Sequence, residues 1–406
     1  MLKIVFPLLS ACAVILAVSG CAAKYPRTYP PQQLSAVFDQ ARSIIEENCI
    51  DAAGKGVTLD VGKRPEVGSL LAQLGPSAEW LSWKRNVQIN NPFRAGIGIA
   101  VRVKNGETRI EALVEDSPAR RAGLKRGDRI IKIDNEPVNG HSAMMVIAGL
   151  QGAPGSNVDV TIAGAGGETR ELTITRGVLD WEPPVAEQFI EKNIGYLRIR
   201  SFNAQAPEEV KSAVKHLLRE NMRGLIIDLR DVSYDVGSAA KTVQLFLKRG
   251  AHIGRLSGRT PERDLTFTSD GWTHYPDLPV AVLINETTSS GAEMFAAALR
   301  DQKRALLIGE KTAGNGEVRA GFQLKDGSLL IIRTHYIKTA SGEPIENSGI
   351  QPHETIELSA LEKEAVFRRI HSHTLWEHDD ISIDRQLTSA VSALRGQIVS
   401  DGPRGQ

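Results

Sequence analysis

The chain has 406 residues, with 49 Lys and Arg against 48 Asp and Glu, and only 5% aromatics. That length holds more than one hydrophobic core. The near-cancelled charge argues against nucleic acid or an anionic lipid surface as a partner, and the few aromatics argue against base-stacking platforms.

At the N-terminus Lys3 precedes an apolar stretch over 4–18, short for a membrane span but suited to the apolar region of a signal peptide. It ends in Val18-Ser19-Gly20-Cys21, small residues before a cysteine, which resembles a bacterial lipobox. The resemblance implies cleavage before Cys21 and acylation of its thiol, anchoring the mature protein to a membrane. Ala22 after the cysteine, by resemblance to Gram-negative lipoproteins, implies the outer membrane and a periplasmic face. A plain secretory signal or a short anchor fits the same residues. With Cys12 inside the signal and Cys21 acylated, Cys49 is the one mature thiol; no intrachain disulfide forms, and Cys49 is expected to serve packing.

Residues 24–33, rich in Pro and Tyr, read as a tether. Apolar positions at Val37, Phe38, Ala41, Ile44 and Ile45 have helical spacing and predict a helix over 34–47. A second helix is expected over 67–74, ending at Gly75-Pro76, so that 22–92 form a tether and helical cap. From Phe93 to Gly177 the texture changes to short β-type runs broken by Gly and Pro. The run Asp116-Ser117-Pro118-Ala119, Ala122-Gly123-Leu124, Gly127-Asp128 and Ile133-Asp134 resembles a PDZ domain over 93–177, a small β-barrel-like unit. Gly96, Ile97, Gly98 and Ile99 then match the loop that takes a peptide carboxylate. Successive N–H groups made approachable by glycine form an anion nest, and an extended peptide adds to the sheet edge.

After Pro183-Pro184, apolar β-type runs at 194–200, 224–230, 279–284 and 305–308 alternate with helical patterns at 207–221 and 290–302. This predicts an α/β layer over 178–357, with function at the strand C-terminal ends. A helical tail is expected over 358–406.

The apolar run 280–284 breaks into Asn285-Glu286-Thr287-Thr288-Ser289-Ser290-Gly291-Ala292-Glu293, placing a serine at a helix N-terminus where backbone N–H groups can stabilise an oxyanion. Serine also fills a helix N-cap for purely structural reasons. The order of these parts, with Ala72-Gln73-Leu74-Gly75-Pro76, Gly224-Leu225-Ile226-Ile227-Asp228-Leu229-Arg230, Gly309-Glu310-Lys311-Thr312 and Gly349-Ile350-Gln351-Pro352, resembles the C-terminal processing, or tail-specific, serine peptidases over most of 34–395. The fold so implied is multidomain α+β: helical cap, PDZ, a ClpP/crotonase-like α/β domain and a helical tail.

That family uses a Ser–Lys dyad in which a neutral lysine accepts the serine proton. By resemblance Ser290 is the nucleophile and the Gly291 N–H an oxyanion donor. The lysine position falls on Asn315, whose amide accepts no proton at neutral pH. The turn that should complete the oxyanion hole reads Asp231-Val232-Ser233-Tyr234-Asp235, and a carboxylate beside a nascent oxyanion repels it. His335 is the alternative base. His371, His373 and His378 lack the spacing and companions of a metal set, so neither metal nor cofactor is expected. Two functions stand side by side: a lipid-anchored serine endopeptidase that takes protein C-termini through its PDZ domain, and a catalytically impaired pseudopeptidase acting as a PDZ-based scaffold. Partners are protein C-termini and, through Cys21, a membrane; a homo-oligomer stays open.

Overall fold

The computed structural model describes residues 31–52, 74, 78–81, 95–104, 106–114, 116–139, 141, 143–164, 166–178, 185–233, 235–271, 275, 277–370 and 381–400. The signal segment with Cys21, residues 24–30 of the tether, most of the expected 67–74 helix, Tyr234 and His371, His373 and His378 lie outside them. The described residues divide into two compact units, one built on residues between 31 and 178 with 320–333, the other on residues between 185 and 319 with those from 334 to 400.

In the first unit, α1 (Pro31–Asn48) starts earlier than the helix expected over 34–47, so the end of the expected tether is helical. Its apolar stripe of Val37, Phe38, Ala41 and Ile45 continues into Cys49, fully buried as a packing residue, and meets Leu330 and Ile332. β1 (Ala78–Leu81), a strand not expected within the helical cap, pairs antiparallel with a later strand, Ala78 opposite Ile332. Short-range periodicity cannot reveal a partner more than 200 residues away.

The PDZ part follows as β2 (Ala95–Gly96), β3 (Ile99–Lys104), β4 (Glu107–Leu113), α2 (Pro118–Arg121), β5 (Arg129–Ile133), β6 (Glu136–Pro137), α3 (Ala143–Leu150), β7 (Asn157–Ala163), β8 (Thr169–Thr175) and β9 (Gly177–Val178). The sheet order is β3-β4-β5-β7-β8, with β6 on β5 and β2 paired with β9. Alternation along β7 sends Val158, Val160 and Ile162 into a core with Ile97, Ile110, Ile130 and Val146. Ser117 caps α2 by accepting the Arg120 N–H, and Pro118 opens the helix.

The second unit contains β10 (Val185–Glu191), β11 (Ile194–Ile199), α4 (Ala206–Arg219), β12 (Gly224–Asp228), α5 (Val236–Val243), β13 (His252–Ser257), β14 (Leu265–Thr268), β15 (Val280–Ile284), α6 (Gly291–Asp301), β16 (Leu306–Gly309), β17 (Glu317–Gln323), β18 (Leu329–Thr339), β19 (Glu354–Thr355), α7 (Ala360–Ile370) and α8 (Arg385–Ser400). β17 and β18 run on into the first unit. The main sheet has the order β10-β11-β12-β15-β16-β19, parallel from β11 onward. β12 and β15 are buried at every residue, as in a sheet covered on both faces. α4, α5 and α6 pack on one face, and α8 covers the other with Leu387, Ala390, Val391 and Leu394. Among the described residues the expected helical tail holds two α-helices, α7 and α8. Among the described residues no helix is long and apolar enough to cross a membrane.

Candidate active site

Parallel strands β12 and β15 end side by side, and the loop after each is laced to the other through Asn285. Its side-chain oxygen accepts the N–H groups of Asp231 (3.0 Å) and Thr288 (3.1 Å), while its amide donates to Asp231 Oδ1 (2.8 Å). Thr288 Oγ1 donates to the Leu229 carbonyl (2.9 Å), and the Ser289 N–H to the Val232 carbonyl (2.8 Å).

Ser290 follows at φ 53°, ψ −117°, a conformation that costs a non-glycine residue about 1–3 kcal/mol and persists only where surrounding bonds impose it. The residue is partly exposed, and it forms a capping box with Glu293, each side chain facing the other's backbone N–H. Gly291 opens α6, and its N–H likewise finds no backbone acceptor among them. A partly exposed serine hydroxyl and an N–H without a backbone acceptor are therefore adjacent at a helix N-terminus.

Glu293 is what imposes this turn. Fully buried, it accepts the Ser290 N–H on Oε2 (2.8 Å), and on the same oxygen the Asn315 N–H (3.0 Å). Oε1 accepts Thr312 Oγ1 (2.6 Å) and the Gly314 N–H (2.7 Å). Burial pushes its carboxyl above the ordinary range, against the pull of the four donors. The 312–316 loop is fixed from its other side as well. Gly316 N–H donates to Glu346 Oε2 (2.9 Å), and an added Cβ on Gly316 would sit 2.2 Å from the Glu346 nitrogen.

The structure thus brings Ser290, Gly291 and Asn315 together, with the Asn315 side chain exposed. His335 is engaged elsewhere: Nε2 meets the Arg263 carbonyl (3.2 Å), Nδ1 meets Thr334 Oγ1 (2.9 Å), and burial lowers its pKa. It has no bond to the serine turn. The carboxylates of the 231–235 turn each take hydrogen bonds from their neighbours. Asp231, at φ 58°, turns its carboxylate onto Asn285 and Thr287, and Asp235 caps α5 through the Ser238 N–H (2.6 Å).

In the PDZ part, the carbonyls of Ile97 and Gly98 turn away to accept the N–H groups of Ala119 (2.8 Å) and Val114 (2.9 Å). The N–H groups of Ile97 and Gly98 have no backbone partner among the described residues. Gly98 has φ 81°, which the nest geometry requires. Gly96 pairs with Gly177, and Ile99 begins β3.

Residues 193–356 match the family model for peptidase family S41, and residues 109–176 that for a PDZ domain. The chain carries an S41 peptidase domain and a PDZ domain. CtpA-like carboxy-terminal processing proteases are its homologues. It is 32% identical over 264 residues to the carboxy-terminal processing protease CtpA of Bacillus subtilis (strain 168), covering 65% of this chain and 56% of that protein. It is 32% identical over 300 residues to the chloroplastic carboxyl-terminal-processing peptidase 1 of Arabidopsis thaliana, covering 70% and 61%. The chain therefore spans less than two thirds of the length of these relatives. Its fold matches that of a photosystem II D1 C-terminal processing protease with a TM-score of 0.65 at 22% identity, over 86% of this chain and 99% of that one.

Within the S41 domain, sequence reading missed the supports behind the site. Asp228, at the end of β12, holds Arg230 through Nη2 (2.6 Å) and Tyr196 through its hydroxyl (2.7 Å), and Arg230 reaches Asp384 (3.0 Å) and Gln386 (3.2 Å) at the start of α8. Every member is at most 1% exposed. Lys363 of α7 bridges Glu286 and Glu310, at 2.8 Å each, beside the ends of β15 and β16. Held by two carboxylates, its pKa is raised despite burial, which disqualifies it as a neutral base. Among the described residues no cluster of His, Cys, Asp and Glu is placed to hold a metal ion.

Proposed function

We propose that this chain is a lipid-anchored periplasmic protein of the carboxy-terminal processing type. It captures protein C-termini through its PDZ domain and keeps Ser290 as an endopeptidase nucleophile without a resident base. One observation supports this reading: the Ser290 and Asn315 N–H groups share one oxygen of Glu293, so the position that resemblance gives to the dyad's second member is tied to the serine turn and carries an amide. Without an acceptor for the serine proton, acyl transfer waits on solvent hydroxide, and capture outlasts cleavage. The strained Ser290 backbone and the free Gly291 N–H favour a second reading, a peptidase with full turnover.

Incubating residues 22–406 with an unfolded protein that has an apolar C-terminus separates the two, with Ser290→Ala and Asn315→Lys alongside. Cleavage by the parent that disappears in Ser290→Ala establishes the second reading. Binding without cleavage, with cleavage appearing in Asn315→Lys, establishes the first. For the anchor, Val18-Ser19-Gly20-Cys21 supports acylation at Cys21, and fatty-acid labelling lost in Cys21→Ala tests it.

A further inference from the structure

We infer that Arg176 sets the PDZ domain's preference for a free C-terminal carboxylate over a neutral chain end. The inference rests on the reading of this domain as a binder of C-termini.

Arg176 is only 4% exposed, yet its hydrogen-bond partners among the described residues are all neutral. Nε donates to the Leu150 carbonyl (3.0 Å), Nη2 to the Gly149 carbonyl (3.1 Å), and Nη1 to the Asn157 carbonyl (2.6 Å) and Ser156 Oγ (3.1 Å). Among the described residues no carboxylate lies within ion-pair distance of it. Burial lowers its pKa, and Asp134 opposes that from farther away; the group stays a cation at any physiological pH. A buried charge without a counter-ion is costly, so what surrounds it matters.

Two of its acceptors are the last carbonyls of α3, where the helix carries about half a negative charge. The nest lies beside that terminus. Gly152, just beyond α3, donates to the Ala95 carbonyl (3.2 Å), one residue before Gly96. Gly177, the residue after Arg176, pairs with Gly96 itself. A carboxylate on the free N–H groups of Ile97 and Gly98 therefore arrives close to a negative helix end. Arg176 reverses the sign of that end, and its burial keeps water from screening the effect. A role confined to capping α3 would affect charged and neutral ligands alike.

The test uses two peptides of one sequence with an apolar last residue, one ending in a free acid and one in an amide. Their dissociation constants are measured on the whole chain carrying Ser290→Ala. The parent is expected to prefer the acid. Arg176→Gln should cut that preference about three- to tenfold, while Arg176→Lys, less stable but still charged, retains most of it. An acid-to-amide ratio unchanged in Arg176→Gln overturns the inference and leaves C-terminus binding intact. If Arg176→Gln does not fold, Gly152→Ala replaces it, since its Cβ would sit 2.9 Å from Arg176 Cδ and must displace the side chain. The ratio should fall there too, and an unchanged ratio again overturns the inference. A parent that binds neither peptide removes the C-terminus reading itself, and the inference with it.

Discussion

The backbone N–H of Ser290 and that of Asn315 end on one oxygen of Glu293, at 2.8 and 3.0 Å, although the two residues lie in separate loops after β15 and β16. One carboxylate thus keeps a strained serine and the residue facing it in fixed relation. Glu293→Gln replaces an acceptor by a donor facing N–H groups. At about 1–3 kcal/mol for each donor left unsatisfied, the variant should lose about 2–5 kcal/mol in urea unfolding, and Ser290 should react more slowly with a hydrolase-directed phosphonate. The sign with pH also follows. Because the folded pKa is raised above the ordinary 4.5, this group's contribution is fully present below about pH 4.5 and is lost as pH rises through the folded value. Glu293→Gln should abolish that part of the slope.

Asn315→Lys should restore cleavage only in alkaline solution. The side chain at this position is exposed, so a lysine there keeps a pKa near ~10.4 and only about one molecule in 10³ is neutral at pH 7. Cleavage of an unfolded substrate should therefore rise about tenfold per pH unit between pH 7 and 9. A flat profile, with good activity at pH 7, would mean that the site desolvates the amine and that exposure is the wrong guide.

The α/β alternation, the PDZ pattern and the serine turn were legible because each is written in local spacing: apolar runs for β12 and β15, glycine at Gly96 and Gly98, a serine three residues before Glu293. That last spacing is a capping-box signature, yet it does not reveal that Glu293 also holds Thr312, Gly314 and Asn315. The pairing of β1 with β18 was hidden for the same reason, as was the way Asp231 folds its charge back onto Asn285. His335 shows the converse, a plausible residue type that topology sends to the Arg263 carbonyl.

Arg230 joins the end of β12 to the start of α8. Arg230→Met leaves the buried Asp228 with only Arg198 (3.3 Å) and the buried Asp384 with only Arg369 (3.8 Å) in place of the cation they share. Breaking a buried pair costs about 3–5 kcal/mol, so the urea midpoint should fall accordingly. Arg230→Lys, which cannot span Asp228, Asp384 and Gln386 together, should recover less than half of it.

Two glycines with positive φ should respond unequally to alanine. At Gly250 (φ 81°) a Cβ meets nothing within 4 Å, so Gly250→Ala carries only the left-handed backbone penalty of about 1–2 kcal/mol. At Gly309 (φ 132°) it lands 2.0 Å from the Ile284 carbonyl oxygen, inside the β15–β16 ladder. Gly309→Ala must pry apart the strands that carry the serine turn and should lose both folding yield and Ser290 labelling, while Gly250→Ala keeps its labelling rate.

The link between α7 and α8 should loosen in acid. Glu362 receives Arg385 (2.6 Å) and the Ser359 N–H (2.6 Å), which hold its carboxyl down at about 2. A depressed carboxyl contributes fully above the ordinary value of 4.5, and the contribution is lost as pH falls from there through about 2. Hydrogen exchange over 359–363 should therefore quicken, relative to α6, between pH 4.5 and the lowest pH at which the protein stays folded. In Glu362→Gln the same amides should exchange at the faster relative rate throughout. Equal pH dependence in parent and variant would assign the fastening of α7 to Lys363 and its two glutamates instead.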